Sequence, residues 1–238
     1  MKKIIVILIV LTGASRALAQ QSVPKFTLGL NGGASIPTGN FAKGDYADET
    51  SGFAKTGAQF NLTGTYHLHK DFGITLLLGY SSFGRNGTQS LADGYKEDSG
   101  TDSTTLYSKG SNYSLSFLIG PSYRFHPGKK LFIDARALVG YVNTHLAGFQ
   151  IFYEDYTTNS MTQNVASSGA FGFQGGIGIG YQISKSWAVQ VNGDYFTSKP
   201  NFNITYDDFV VNSGRKLKTY DQPVSGFKIT VGVSYSIF

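Results

Sequence analysis

Eight stretches of this chain alternate between apolar and polar residues with a period of two. Alternation of this kind indicates β-strands, because successive side chains of a strand point to opposite faces of its sheet. None of the 46 positions on the apolar parity is a charged residue, an amide, a serine or a threonine. The stretches span residues 26–36, 58–68, 72–80, 113–123, 133–141, 171–183, 187–195 and 227–237. A sheet built from them must keep one entire face away from water.

The pattern fits two kinds of barrel, a soluble one with its apolar face inside and a transmembrane one with its apolar face outside. Connection lengths favour the second, because short links (69–71, 126–130, 184–186) alternate with long ones (37–55, 84–110, 145–168, 198–225). Transmembrane barrels have short periplasmic turns and long outer loops. The polar positions of the strands also favour a transmembrane barrel, because they are mostly Gly, Ser, Thr and Asn. The solvated outer face of a soluble barrel would carry more Lys and Glu.

Aromatic residues also cluster near both ends of the strands, as they do at the two interfaces of a membrane. One predicted girdle lies near the short connections and comprises Tyr66, Phe72, Tyr123, Tyr181, Trp187 and Tyr235. The other lies near the long connections and comprises Tyr80, Tyr113, Tyr141, Phe171, Tyr195 and Phe227. We therefore expect an all-β fold, a transmembrane antiparallel up-and-down barrel of eight strands. Lipid offers no hydrogen bonds, so the sheet must close, and both termini should lie in the periplasm.

The N-terminus has the features of a secretory signal peptide. Met1-Lys2-Lys3 is followed by an apolar run, Ile4 to Leu11, and by the small-x-small sequence Ala17-Leu18-Ala19. We expect residues 1–19 to be a signal peptide, cleaved between Ala19 and Gln20, and residues 20–238 to form the barrel domain. Cleavage would lower the net charge from +5 to +2, because residues 1–19 contain three basic and no acidic residues. No basic run remains to bind nucleic acid.

These features together resemble the small outer-membrane β-barrel family of Gram-negative bacteria, of the OmpA/OmpX type. The segment Gly33-Ala34-Ser35-Ile36-Pro37-Thr38-Gly39-Asn40-Phe41 is similar to those of porin-family "outer membrane protein beta-barrel" proteins of Bacteroidetes-like genomes. The resemblance implies an outer-membrane location, with membrane lipids and lipopolysaccharide as neighbours. It also implies that the barrel-insertion machinery recognises the terminal Phe238, which here stands one residue out of phase with the alternation ending at Ile237.

Five charged residues share the inward parity of the strands, namely Arg124, Asp134, Arg136, Asp194 and Lys228. They predict either a charged path for ions and small solutes or a salt-bridged plug. Eight strands enclose just enough space for side chains, which favours the plug. Pro121 predicts a bulge or irregularity in its strand, because proline cannot donate to the ladder.

The long connections contain further alternation at Phe149, Ile151 and Tyr153, and again at Phe202, Ile204 and Tyr206. This predicts strands that continue past the membrane as a protruding sheet, whose edge is able to capture a partner strand. Alternatively, these stretches stabilise the barrel mouth, or add a hairpin that makes ten strands.

The expected function is a structural or adhesin-like surface role, with a surface protein or host ligand bound by the loops. A narrow porin-like channel is the second hypothesis, and a lipid-modifying or proteolytic enzyme is the third. The sequence contains no motif for a nucleophile, base and orienting group, so no catalytic residues are assigned. No cofactor or metal is expected, and Asp93, Glu97, Asp98 and Asp102 are interpreted as a solvated acidic loop.

Overall fold

A computed structural model describes residues 24–154, 160–208 and 214–238. The predicted signal peptide and its cleavage site at Ala19 and Gln20 lie outside the described residues. The strands are β1 (Phe26–Pro37), β2 (Ala54–Lys55), β3 (Gly57–His67), β4 (Phe72–Arg85), β5 (Thr104–Lys109), β6 (Asn112–Phe125), β7 (Leu131–Leu146), β8 (Gly148–Tyr153), β9 (Ser160–Gln163), β10 (Ala166–Gln182), β11 (Trp187–Ser198), β12 (Asn201–Asp208), β13 (Gly214–Asp221) and β14 (Val224–Ile237). Helix α1 spans Thr88–Ser99, and a 3-10 turn spans Gly39–Ala42.

Eight of these strands close into an antiparallel barrel, as predicted. Their order around the barrel is β1, β3, β4, β6, β7, β10, β11 and β14, and β14 pairs with β1 over twelve residue pairs, from Phe26↔Ile237 to Pro37↔Gly226. The first and last described residues lie at the end of the barrel that holds the short turns, where the Lys25 amide donates to the Ile237 carbonyl at 2.8 Å. We call this the short-turn end and the opposite one the long-loop end.

The long connections form a second sheet, with the order β13-β12-β9-β8-β5. The predicted protruding sheet is therefore present in the structure. The alternative of a ten-stranded barrel is wrong, because these strands pair with one another and not with the barrel. We call this five-stranded unit the loop sheet, and its two edges are β5 and β13.

The two faces of the barrel wall differ as the alternation predicts. On the outer face Val231 is 61% exposed, whereas Gln174 on the inner face is 0% exposed. The inner face nevertheless holds several apolar residues, and Leu77, Leu118, Leu138 and Val142 form a buried cluster inside the barrel. The interior of the barrel is therefore partly apolar, whereas the sequence predicts a polar filling.

Pro121 interrupts the pairing of its strand without forming a bulge. The β6–β7 ladder runs as far as Ile119↔Val139 and resumes at Ser122↔Arg136 in the same register. On its other side, β6 pairs with β4 without a break, including Ile74↔Pro121. Proline has no N–H to donate, so the gap faces β7 alone.

Helix α1 was not predicted by the sequence analysis, which treated residues 84–110 as a loop. Its sequence is rich in Gly, Ser, Thr and Asp, which are weak helix formers, and burial of Leu91 and Ala92 stabilises it through tertiary packing. In the described ranges, no helix is long and apolar enough to cross a membrane.

Substitutions at two glycines of the barrel test how closely the backbones of neighbouring strands approach each other. A Cβ added to Gly33 would lie 2.0 Å from the Ile229 carbonyl oxygen, whereas one added to Gly193 would meet nothing within 4 Å. We expect Gly33→Ala to lower the free energy of unfolding by about 1–3 kcal/mol, because the neighbouring backbone must shift. Gly193→Ala should leave it nearly unchanged. Urea unfolding of the refolded barrel in detergent measures both, and equal effects would contradict the close approach.

Candidate functional site

Two bidentate ion pairs lie on the inner face of the barrel and use four of the five predicted charged residues. Arg136 donates to the carboxylate of Asp194 at 2.8 and 2.6 Å, and Arg124 donates to that of Asp134 at 2.7 and 2.8 Å. The Asp194 side chain is 0% exposed, and that of Arg136 is 8% exposed. Planar guanidinium groups match carboxylates in this two-bond geometry, so each pair locks two strands together.

Lys228 is the fifth predicted residue, and it is also buried in the lumen. It lies opposite Asp194 in the β11–β14 register, yet its ammonium group donates to Gln174 Oε1 at 3.0 Å. The same ammonium lies 4.4 Å from the centroid of the Phe196 ring. The structure therefore brings all five charged residues into the lumen, where they fill space between the strands.

Amide side chains form a further part of the filling. Gln190 and Asn192 both donate to Asn31 Oδ1, at 2.9 and 3.1 Å. On β3, Gln59 and Asn61 are hydrogen-bonded to each other. The sequence analysis placed these residues on the polar parity but did not single them out. Together with the apolar cluster around Leu138, they fill further space inside the barrel.

The long-loop end of the barrel is closed by a cluster of aromatic side chains, which we call the aromatic stopper: Phe41, Phe83, Phe196 and Phe202 with the neighbouring Val224. Phe41 comes from the 3-10 turn that follows β1, and its ring meets that of Phe83 edge to face at 5.0 Å. Phe83 in turn lies 6.3 Å from Phe196. Phe41 and Phe202 are both 0% exposed. Water and ions have no polar partner in such a cluster.

A second apolar cluster lies on the inner face of the loop sheet. It consists of Phe149, Ile151, Tyr153 and Met161, with Tyr95, Leu106 and Tyr206 packed against it. Helix α1 and the first long loop cover it, because the Tyr46 ring lies 4.9 Å from that of Tyr95 and its hydroxyl donates to the Asp98 carboxylate. Burial and the hydrogen bond to Asp98 raise the pKa of Tyr46. On β13, burial raises the pKa of Tyr220 to about 12.

The residues predicted to contact a partner from the loops are mostly internal. Phe149, Ile151, Tyr153, Phe202 and Ile204 are all buried, and Tyr206 is half-buried against the same cluster. The expectation that these side chains face a partner is therefore corrected. Their alternation identified strands, but it could not say which face of the sheet a helix and a loop would cover.

Other apolar side chains occupy the exposed face of the loop sheet. Tyr107 is 58% exposed and Phe152 is 41% exposed, and their rings meet edge to face at 5.6 Å. Leu217 on the edge strand β13 is 67% exposed. The sequence analysis missed this surface, because β5 and β13 carry no clear alternation.

The predicted girdle residues lie on the outer face of the barrel. Eleven of the twelve are exposed, and Tyr113 is partly covered by His145, whose ring stacks on it at 4.7 Å. Trp187 and Tyr235 lie 5.0 Å apart near the short turns, and Tyr195 and Phe227 lie 5.4 Å apart toward the long loops. Two aromatic levels of this kind match the two interfaces of a bilayer.

Phe238 follows the last residue of β14 and is 41% exposed. Its role as an insertion signal stays a prediction. Over the ranges that the structure describes, no group of three or more His, Asp or Glu residues is placed to hold a metal ion.

Comparison with known proteins points to the same barrel architecture. The family model described as "Outer membrane protein beta-barrel domain" matches residues 4–236. No curated protein matches the sequence. Among solved structures, a major outer membrane protein from Thermus thermophilus aligns with a TM-score of 0.50 at 12% identity, covering 88% of this chain and 98% of that one. At this identity the likeness concerns the fold alone.

Two further solved structures are similar at lower TM-scores. Ail, the attachment invasion locus protein of Yersinia pestis, aligns with a TM-score of 0.43 at 12% identity, covering 90% of this chain and 98% of that one. Neisserial surface protein A aligns with a TM-score of 0.46 at 11% identity, covering 91% of this chain and 100% of that one.

The buried Arg136–Asp194 pair yields a stability prediction. Arg136→Met should lower the free energy of unfolding by about 3 kcal/mol, because the buried Asp194 carboxylate loses both guanidinium hydrogen bonds and keeps only the Lys228 ammonium as a nearby counter-charge. The double variant Arg136→Met/Asp194→Leu should recover only part of that loss, because the buried Lys228 ammonium then lacks the neighbouring carboxylate. Lys43→Met removes a partner from the exposed Lys43–Asp48 pair and serves as the control, which should change little. Urea unfolding in detergent measures all three, and a double variant as unstable as the single one would contradict the pairing.

Proposed function

Since this chain belongs to the outer membrane protein beta-barrel family, we propose that it is a non-conducting surface protein whose barrel anchors the loop sheet for contact with other molecules. Proteins of this family are outer-membrane barrels. The proposal places the short-turn end in the periplasm and the long-loop end outside the cell. The outer face of the barrel then contacts phospholipid in one leaflet and lipopolysaccharide in the other.

The closed lumen is the observation that carries this proposal. A permeating ion would have to pass the aromatic stopper, the apolar cluster around Leu138 and the Arg136–Asp194 pair in turn. Apolar side chains offer an ion nothing to replace its water, and moving a charge into such surroundings is costly. The same observation disfavours the porin-like alternative, which requires a continuous wet path.

The loop sheet supplies the surface for an interaction. Its inner face packs against the barrel mouth, since Phe202 of β12 belongs to the aromatic stopper and Ile204 lies in the same buried cluster. Its outer face presents Tyr107, Phe152 and Leu217 to solvent. Exposed aromatic residues on a rigid scaffold are typical anchors of protein interfaces, and the free edges β5 and β13 suit an added strand. The partner we propose is an extended segment of a surface or host protein.

A hydrolytic role has weaker support. Ser167 and His145 are cross-strand neighbours with Oγ and Nδ1 2.7 Å apart, and sequence analysis did not pair them. In the described part of the chain, no carboxylate is hydrogen-bonded to His145 to orient it as a base. A serine nucleophile needs that third group for efficient activation, so we assign no catalytic residues.

A planar-bilayer recording tests the closed lumen. The purified, refolded protein should insert without producing stable conductance steps, because three successive layers block the lumen. A reproducible pore whose conductance changes in Arg136→Ala would contradict the proposal. Gly193→Ala is the matched control, since it alters only the outer face, and an identical change in both variants would point to a contaminant.

Bacterial adherence tests the loop surface. Cells that display the chain should adhere to wells coated with serum or extracellular-matrix protein. Tyr107→Ser/Phe152→Ser should reduce adherence by about tenfold, because aromatic anchors dominate interface energies. Val165→Ser removes another exposed apolar residue outside the loop sheet and should leave adherence intact. Equal adherence of the double variant and the parent, at equal surface display, would contradict this role for the outer face.

A further inference from the structure

The short-turn end of the barrel opens into a cavity that the proposed surface role does not use. Its volume is about 440 Å³, and residues from all three short turns line it together with Phe238 at the C-terminus. Four lysines surround it, Lys70 from the first turn, Lys129 and Lys130 from the second and Lys185 from the third. We call the cavity with these four lysines the basic mouth. A volume of this size is typical of small-ligand sites.

The positive charge of the basic mouth is largely uncompensated. Over residues 24–154, 160–208 and 214–238, no carboxylate lies within 4 Å of any of the four ammonium groups. Two of them lie near aromatic rings instead, Lys130 at 5.8 Å from Tyr181 and Lys185 at 5.1 Å from Phe238. Such contacts hold the side chains in place and leave their charges available.

Of the two acidic side chains nearby, Asp134 has a charged partner, and Asp71 is not among the residues that line the cavity. Asp134 accepts both hydrogen bonds of Arg124, and Asp71 Oδ1 lies 3.7 Å from His126 Nδ1. Burial and the neighbouring Arg124 lower the pKa of His126, which reduces the positive charge that its imidazole adds.

The apolar walls of the cavity strengthen the electrostatic field of its lysines. Phe132 forms part of the lining, with the Arg124 guanidinium 4.1 Å from its ring centroid, and Trp187 and Ala188 extend the apolar surface. Low-dielectric walls focus the field of the surrounding charges and concentrate counter-ions in a cleft. Trp187 also belongs to the girdle near the short turns, which places the opening at the level of lipid headgroups.

We propose that the basic mouth is a binding site for a phosphate group, carried either by a soluble diphosphate or by the headgroup of an anionic phospholipid. Lysines bind phosphate as point charges, and four of them on three turns converge on one opening. Arg124 also lines a smaller cavity of about 30 Å³ further inside the lumen, which is too small for a phosphate group, so the ligand docks at the barrel's end and does not pass through it.

Two binding measurements on the refolded barrel in nanodiscs test this inference. In the first, inorganic pyrophosphate is titrated into discs of phosphatidylcholine, and amide shifts of Gly128 and Ser186 in the turns report binding. In the second, phosphatidylglycerol replaces part of the phosphatidylcholine, and the same shifts are followed. Saturable shifts with pyrophosphate identify a soluble ligand, and shifts only with phosphatidylglycerol identify a lipid headgroup.

A charge-matched pair of variants distinguishes the site from general attraction. Replacing Lys70, Lys129, Lys130 and Lys185 by Gln should weaken binding by at least about tenfold, because it removes the charges that concentrate the anion. Replacing four exposed lysines at the long-loop end, Lys55, Lys96, Lys109 and Lys216, changes the net charge equally and should weaken it less than about twofold. Absence of binding in both arms, or equal weakening by both variants, would overturn the inference.

Discussion

Backbone hydrogen bonding around a closed ring of strands is the constraint on which the rest of this structure depends. In lipid an unpaired N–H or C=O group costs several kcal/mol, so the ladder must return to its starting strand. The twelve-pair seam between β1 and β14 achieves this closure. With the ring complete, one face of every strand must be acceptable to lipid, and the other must fill a narrow interior.

The filling of that interior divides the molecule into two functionally different ends. The aromatic stopper and the loop sheet occupy one end, where Phe202 and Ile204 belong to both the sheet and the barrel mouth. The other end opens into the cavity that Arg124 lines, and it carries the lysines of the basic mouth. Because the lumen is blocked between them, each end can evolve its own contacts without opening a leak.

The lipid constraint also explains which features the sequence predicts. It acts on every second residue of each strand, so the eight strands and their outward residues can be predicted from the local sequence pattern alone. The pairing of Arg124 with Asp134 crosses one short turn and is foreseeable in the same way. Arg136 and Asp194 are 58 positions apart and lie on strands separated by β10, so their contact depends on the register of three strands.

For the long loops, the prediction of strands and of their exposed side chains was only partly correct. Their alternation revealed strands, yet Phe149 and Ile151 are covered by helix α1, whose sequence carries no strong helical signal. Tyr107 and Phe152 are exposed because helix α1 covers the opposite face of the same sheet. Which face becomes internal depends on the packing of several loops at once, which a single segment does not encode.

Thiol labelling tests most directly whether the barrel is blocked at its middle. The chain contains no cysteine, so each introduced cysteine supplies a single thiol. Leu138→Cys places a thiol in the buried cluster between the two ends, and Lys130→Cys places one at the rim of the basic mouth. We expect a small charged maleimide to label the rim thiol rapidly and to leave the Leu138→Cys thiol unlabelled until the barrel is unfolded. Labelling of both thiols at similar rates in the folded protein would show a water-filled lumen and contradict the account.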